Sequence, residues 1–212
     1  MSGNEQKYVQ EAFDTNWVVP LGPNVNAFEE ELAKFCKSKP SNIDFSNEVY
    51  PQSIQAHSDN PDELCNDGYK ELENKEVVAL CSGTSAIHLA LINLGVKAGD
   101  EVICQSFTFC ASSHPVMYLG ATPVFVDSEA DTWNMSPELL ERAIKDRIKK
   151  TGRKPKAIIV VYLYGMPAKI KDIIEIAERY SIPIVEDAAE GLGSRYNEQV
   201  VGTFGEYGVM SF

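Results

Sequence analysis

The chain has 212 residues, 44% of them hydrophobic and 24% charged, and a formal net charge of -12. That length buries a sizeable core in one domain or a domain and a half. The negative charge argues against nucleic acid and anionic membrane surfaces, both of which call for clustered Lys and Arg, and no apolar run approaches the roughly 20 residues of a membrane span.

In chain order, Met1 to Asp14 is polar and acidic and is no signal peptide. Glu5 to Phe13 has the spacing of a short helix, and Trp17 to Pro23 reads as a loop punctuated by Pro20, Gly22 and Pro23. Trp17 needs a surface to rest on, either its own domain, a second subunit or an active-site rim. From Val25 to Cys36, Phe28, Leu32 and Phe35 recur at helical spacing. Ser38 to Asn74 then carries eight acidic residues against two basic ones, with Pro40, Pro51 and Pro61. It reads as an acidic insertion, a partly disordered surface excursion. The division expected is residues 1–37 as N-terminal helices and the Trp17 loop, 38–75 as the insertion, and 76–212 as the main domain.

After the insertion the pattern is regular. Strands are expected at Glu76–Cys81, Glu101–Gln105, Pro123–Val126, Ala157–Tyr162, Ile182–Val185 and Val209–Phe212. Helices are expected at Ala86–Leu94, Ser113–Leu119, from the Ser136 cap to about Lys149, and at Ile170–Tyr180. This alternation implies an α/β domain with a mostly parallel sheet flanked by helices. Cys36, Cys65, Cys81, Cys104 and Cys110 form no Cys-x-x-Cys pair, and His57, His88 and His114 are isolated, so no metal site is expected. Unpaired cysteines suit reduced thiols in the cytoplasm.

Ligands of open α/β sheets gather at the carboxyl ends of strands, and three features lie there. The turn Ser82-Gly83-Thr84-Ser85 offers backbone N–H groups, hydroxyls and a helix N-terminus suited to a phosphate. It lacks the Gly-x-Gly-x-x-Gly of dinucleotide folds and the lysine of a P-loop. Phe107 and Phe109 follow the next strand, where an aromatic ring stacks on a planar ligand or packs into the core. The run Ile182-Pro183-Ile184-Val185 ends in Glu186-Asp187-Ala188-Ala189-Glu190. A carboxylate there faces a ligand or caps the next helix, and that stretch alone does not decide. With Ser211 near the end, the set fits a ring carrying a phosphate and a basic nitrogen. Pyridoxal phosphate is such a ligand, its pyridinium held protonated by an opposed carboxylate.

The motifs resemble, in order, those of the DegT/DnrJ/EryC1/StrS family of pyridoxal-phosphate sugar aminotransferases. They are Ser82 to Ala90, Gly99 to Ile103, Ser106 to Phe109, Gly120 to Asp127, Leu163 to Ala168, Glu186 to Glu190, Gly202 to Gly205 and Ser211-Phe212. The resemblance implies the large domain of the type I aspartate aminotransferase fold, truncated before the C-terminal small domain. By position it implies Thr84, Ser85 and Ser211 at the cofactor phosphate, Phe109 on the ring face and Asp187 against the pyridinium nitrogen. Glu190 stands near the ring's phenolic oxygen, where the family commonly has Gln or His, and Tyr162 receives no role. The family's Schiff-base lysine follows the Ser-Phe pair and is not in this chain, so these 212 residues alone are expected to be inactive. The implied activity of the full-length protein is transfer of an amino group from glutamate to a nucleotide-linked keto-deoxysugar, at position four on the finest reading. The pathway would be surface polysaccharide or glycan precursor synthesis, in a cytoplasmic homodimer. A sugar dehydratase of the same family and a non-catalytic remnant stay open as alternatives.

Overall fold

The computed structural model describes residues 3–38 and 76–212. The acidic insertion expected at 38–75 lies almost wholly outside them. Contacts divide the described chain into two compact units, 3–38 with 76–79, and 80–212. The first holds α1 (Glu5–Asp14) and α2 (Pro23–Lys37). Pro23 opens α2 at a position where its missing N–H costs nothing, and Lys34 and Lys37 suit the negative end of the dipole. The Ala79 N–H is held by the Glu29 carboxylate of α2 at 2.7 Å.

The strand expected at Glu76–Cys81 does not form: among the described residues this stretch pairs with no strand, and Val78 is 67% exposed. A strand is defined by its neighbour, and an apolar run without one remains extended chain.

The second unit is built on a five-stranded sheet in the order β2-β1-β3-β4-β7, every pair parallel. Its strands are β1 (Glu101–Gln105), β2 (Thr122–Val126), β3 (Ala157–Val161), β4 (Ile184–Ala188) and β7 (Tyr207–Met210). A two-residue antiparallel pair, β5 (Arg195–Tyr196) with β6 (Gln199–Val200), was not expected; it turns through Asn197 and Glu198, both with positive φ. β4 begins two residues later than expected and runs through the carboxylates, so Glu186 and Asp187 sit within the sheet.

Parallel strands covered on both faces must be apolar on both faces. Ile103, Ile158, Val160 and Ile184 share a core with α5 (Pro137–Thr151) and α6 (Ile170–Tyr180). Val102, Cys104, Ala157, Ile159, Val185 and Val209 share the other with α3 (Gly83–Asn93) and α4 (His114–Tyr118). Burial at roughly 1.5–3 kcal/mol per large side chain makes these two layers the main source of stability. Ser136 caps α5 by accepting from the Leu139 N–H, and Gly152 closes it in the left-handed conformation. The chain leaves β1 for β2 on one side and returns to β3 on the other, so the sheet reverses winding beside β1. Crevices at the carboxyl ends of strands open at such reversals.

Candidate active site

The carboxyl ends of β1, β3, β4 and β7 and the start of α3 carry the residues singled out from the sequence. Ser82 caps α3, its hydroxyl accepting from the Ser85 N–H at 3.2 Å, while the Ser85 hydroxyl lies 3.0 Å from that of Ser82 and 3.3 Å from the Cys81 sulfur. Hydrogen bonding to Ser85 pulls the exposed Cys81 thiol below its ordinary value, against a smaller opposing effect of desolvation. A Cβ placed on Gly83 would stand 3.8 Å from the Cβ of Ser211. The fold therefore brings Ser211 beside the first turn of α3, 128 positions earlier in the chain.

Asp187 is 6% exposed. One of its oxygens accepts from the Ser112 hydroxyl at 2.6 Å and the other from the Ala189 N–H at 3.3 Å. Among the described residues no cation is paired with it. Burial pushes this carboxyl above its ordinary value, the Ser112 and Ala189 donors oppose that, and nearby Glu190 adds to it. A buried carboxylate with no partner cation, at the carboxyl end of a parallel strand, is suited to a cation brought by a ligand. It caps no helix: Ala189 to Ser194 is a series of turns.

Glu186, the preceding residue, is fully buried and has a different set of partners. It accepts from the Gly202 N–H at 2.9 Å, from the Gly205 N–H, and from the phenol of Tyr162. Burial and the adjacent carboxylate drive the Tyr162 phenol well above its ordinary value, so it remains a neutral donor. A Cβ at Gly205 would lie 2.7 Å from the Ile184 carbonyl, and only glycine lets this loop come close enough to donate.

Glu190 is exposed and accepts from the Tyr164 N–H at 2.7 Å. Tyr164 holds φ at 52°, and a Cβ on Gly165, at φ 79°, would meet the Glu190 carbonyl at 2.9 Å. Glu190 thus braces the turn after β3. Phe109 is 78% exposed, and Phe107 stacks edge-to-face on Trp133, ring centres 6.1 Å apart.

Two buried amides went unnoticed in the sequence. Gln105 donates to the Phe107 carbonyl at 2.7 Å and accepts from the Met135 N–H at 2.8 Å. Asn134 accepts from the Leu163 N–H at 2.9 Å and donates to the Met166 carbonyl at 2.8 Å. Together they tie the loops after β1, β2 and β3. The one available signal was a glutamine closing the apolar run Val102-Ile103-Cys104. A separate groove of about 720 Å³ between α6 and the β5–β6 pair, lined by Ile174, Tyr196 and Phe204, contains none of Ser85, Phe109, Asp187, Glu190 and Ser211. No three potential metal ligands cluster among the described residues, and no described helix is long and apolar enough to cross a membrane.

The model of the DegT/DnrJ/EryC1/StrS aminotransferase family matches residues 61–212. The whole chain is 45% identical to EpsN of Bacillus subtilis (strain 168), described as a candidate pyridoxal phosphate-dependent aminotransferase, over 45% of that protein. It is 33% identical to the GDP-perosamine synthase of Escherichia coli O157:H7, over 46% of that protein. Among solved structures, a DegT DnrJ EryC1 StrS aminotransferase from Brucella abortus superposes with a TM-score of 0.74 at 31% identity, covering 94% of this chain and 44% of that one. The chain spans less than half the length of these relatives. The parallel sheet flanked by helices is the large domain of the type I aminotransferase fold. The chain belongs to the DegT/DnrJ/EryC1/StrS aminotransferase family, whose cofactor is pyridoxal phosphate.

Proposed function

We propose that these residues form the cofactor-holding part of an enzyme that transfers an amino group to a nucleotide-linked keto-deoxysugar. The observation that carries this reading is Asp187, buried at the end of β4 with no cation paired to it among the described residues. It fits a pyridinium nitrogen, whose proton it holds by opposite charge in a site of low dielectric. The α3 N-terminus beside Ser211 supports a phosphate site made by Thr84, Ser85 and Ser211, where the helix dipole and hydroxyls favour an anion. Phe109 would cover a face of the cofactor ring, and Glu190 would stand near its phenolic oxygen. Bound pyridoxal phosphate supplies the electron sink for carbanion chemistry at the amino-bearing carbon.

In this reading none of Lys154, Lys156 and Lys169 makes the covalent cofactor bond. Lys154 and Lys156 precede β3 and so lie at the amino ends of the strands, away from Asp187, and Lys154 donates to the Tyr180 carbonyl at 3.1 Å. Lys169 is paired with Glu129 at 3.0 Å and with Asp131. In this reading the 212 residues alone are inactive. For the full-length protein the reading is a homodimer in the cytoplasm, glutamate as donor, position four of the sugar as acceptor, and a product used in surface polysaccharide or glycan precursors. Similarity to the GDP-perosamine synthase supports a nucleotide-linked aminosugar; the wording of Glu186–Glu190 with Gly202–Gly205 supports position four.

Mixing the 212-residue chain with pyridoxal phosphate, then borohydride and peptide mapping, tests the binding half. Saturable uptake that Asp187→Asn weakens, with no lysine labelled, is expected. Stoichiometric labelling of one lysine would overturn the inactive-chain reading. For the reaction, full-length protein given glutamate and a nucleotide-linked 4-keto-6-deoxyhexose should yield 2-oxoglutarate and aminosugar in equal amounts; an unchanged sugar would refute it.

A further inference from the structure

We infer that Ser112 is a positioning residue for Asp187, held in turn by Thr108, and that this pair of hydroxyls sets which carboxylate oxygen is left for a cationic ligand. The inference deepens the proposed cofactor reading and rests on it. Ser112 is fully buried, in a short helical turn (Cys110–Ser112) that follows the β1 loop and is fastened by its own N–H to the Phe109 carbonyl at 3.1 Å. It reaches across to β4, 75 positions along the chain, with its Oγ 2.6 Å from Oδ2 of Asp187.

A serine hydroxyl has one hydrogen. Because that hydrogen goes to Asp187, the 3.0 Å contact between Thr108 Oγ1 and Ser112 Oγ has Thr108 as its donor. The hydroxyls thus run in one direction, from Thr108 through Ser112 to the carboxylate, and successive bonds in such a chain polarise one another. Oδ2 is engaged by a short, charge-assisted bond, whereas among the described residues Oδ1 has only the long 3.3 Å contact from Ala189. Oδ1 keeps acceptor capacity for an N–H brought by a ligand.

The titratable group facing Asp187 is Glu190, at the end of the same segment, and no cation is paired with Asp187 among the described residues. Ser112 is therefore the principal side chain that favours the ionised form, against burial and Glu190. The loop that carries Ser112 also carries Phe109, so one short turn places both a ring-face aromatic and the carboxylate's anchor.

The test uses the full-length protein with Ser112→Ala, Ser112→Thr and Thr108→Val. In cofactor-free protein labelled with ¹³C at aspartate carboxyls, Asp187 is identified by the signal lost in Asp187→Asn and its titration is followed. Ser112→Ala should raise the Asp187 midpoint by roughly one to two pH units, the worth of a charge-assisted hydrogen bond. Thr108→Val should raise it less, and Ser112→Thr should restore the native midpoint. Pyridoxamine 5'-phosphate binding, measured across the same pH range, should weaken in Ser112→Ala below the new midpoint and recover above it. An unchanged midpoint in Ser112→Ala, or in Thr108→Val together with Ser112→Thr if the alanine variant does not fold, overturns the inference. Failure of the native protein to bind pyridoxamine 5'-phosphate at any pH would instead overturn the cofactor reading, and leaves the midpoint comparison to judge Ser112 by itself.

Discussion

Glu186 and Asp187 are neighbours on β4, yet their carboxylates serve opposite faces of the sheet. Glu186 accepts from Tyr162 and the 202–205 loop on the side of α5 and α6; Asp187 accepts from Ser112 on the side of α3 and α4. Side chains of a strand alternate, so two adjacent acids cannot share a site. One acid is left to hold the loop and the other to meet the ligand.

Glu186→Ala should destabilise the fold on the order of 3 kcal/mol or more, because it strands the Tyr162 phenol and the Gly202 and Gly205 N–H groups in a buried place. Denaturant unfolding measures this. A change within about 0.5 kcal/mol, typical of surface positions, would show that these donors find water instead.

Asp187→Asn should have the opposite sign in cofactor-free protein. Burial holds the folded carboxyl above its ordinary value. Its favourable contribution is therefore present at low pH and lost as pH rises through the folded value. The variant should melt higher than the native protein near pH 7 and lose that advantage near pH 3, while binding pyridoxal phosphate more weakly. A difference in melting temperature that does not vary with pH would contradict this.

Glu129 gives the reverse dependence. Burial alone would raise it, but hydrogen bonds from Thr132, the Asp131 N–H and Lys169 bring it to about 2. Its contribution is present above its ordinary value of 4.5 and is lost as pH falls toward 2. Acid unfolding of Glu129→Gln should run closer to the native curve at the acid end than at neutral pH. Parallel curves would count against the network.

Asn134→Ala should cost roughly 2 kcal/mol by leaving the Leu163 N–H and the Met166 carbonyl unpaired. Hydrogen exchange at Leu163 should quicken in step. Exchange no faster than in the native protein would mean that the turn after β3 is held by Glu190 alone.

Cys81 should react with iodoacetamide in the native state while Cys104 does not: the first thiol is exposed and lowered by Ser85, the second buried and pushed up to about 12. Pyridoxal phosphate should slow alkylation of Cys81, since the Cys81 sulfur lies 3.3 Å from the hydroxyl of Ser85 in the proposed phosphate site. Equal rates with and without cofactor would move the phosphate elsewhere.

Local rules sufficed for much of this protein. Helix α6 and strand β1 have the limits their periodicity predicted, because an apolar stripe at a helical spacing or a short buried run carries its own signal. Asp187 stood out because a charge ending such a run is costly without a purpose. Pairing across the chain was beyond those rules. The stretch 76–81 has strand composition but no neighbour, and composition cannot report a neighbour. Ser112 and Asp187, or Gly83 and Ser211, meet only because parallel strands bring distant segments to one edge of the sheet. The sequence alone determined which residues could bear the chemistry; the tertiary structure decided which of them share a hydrogen bond, since that depends on strand order and on the face each side chain takes.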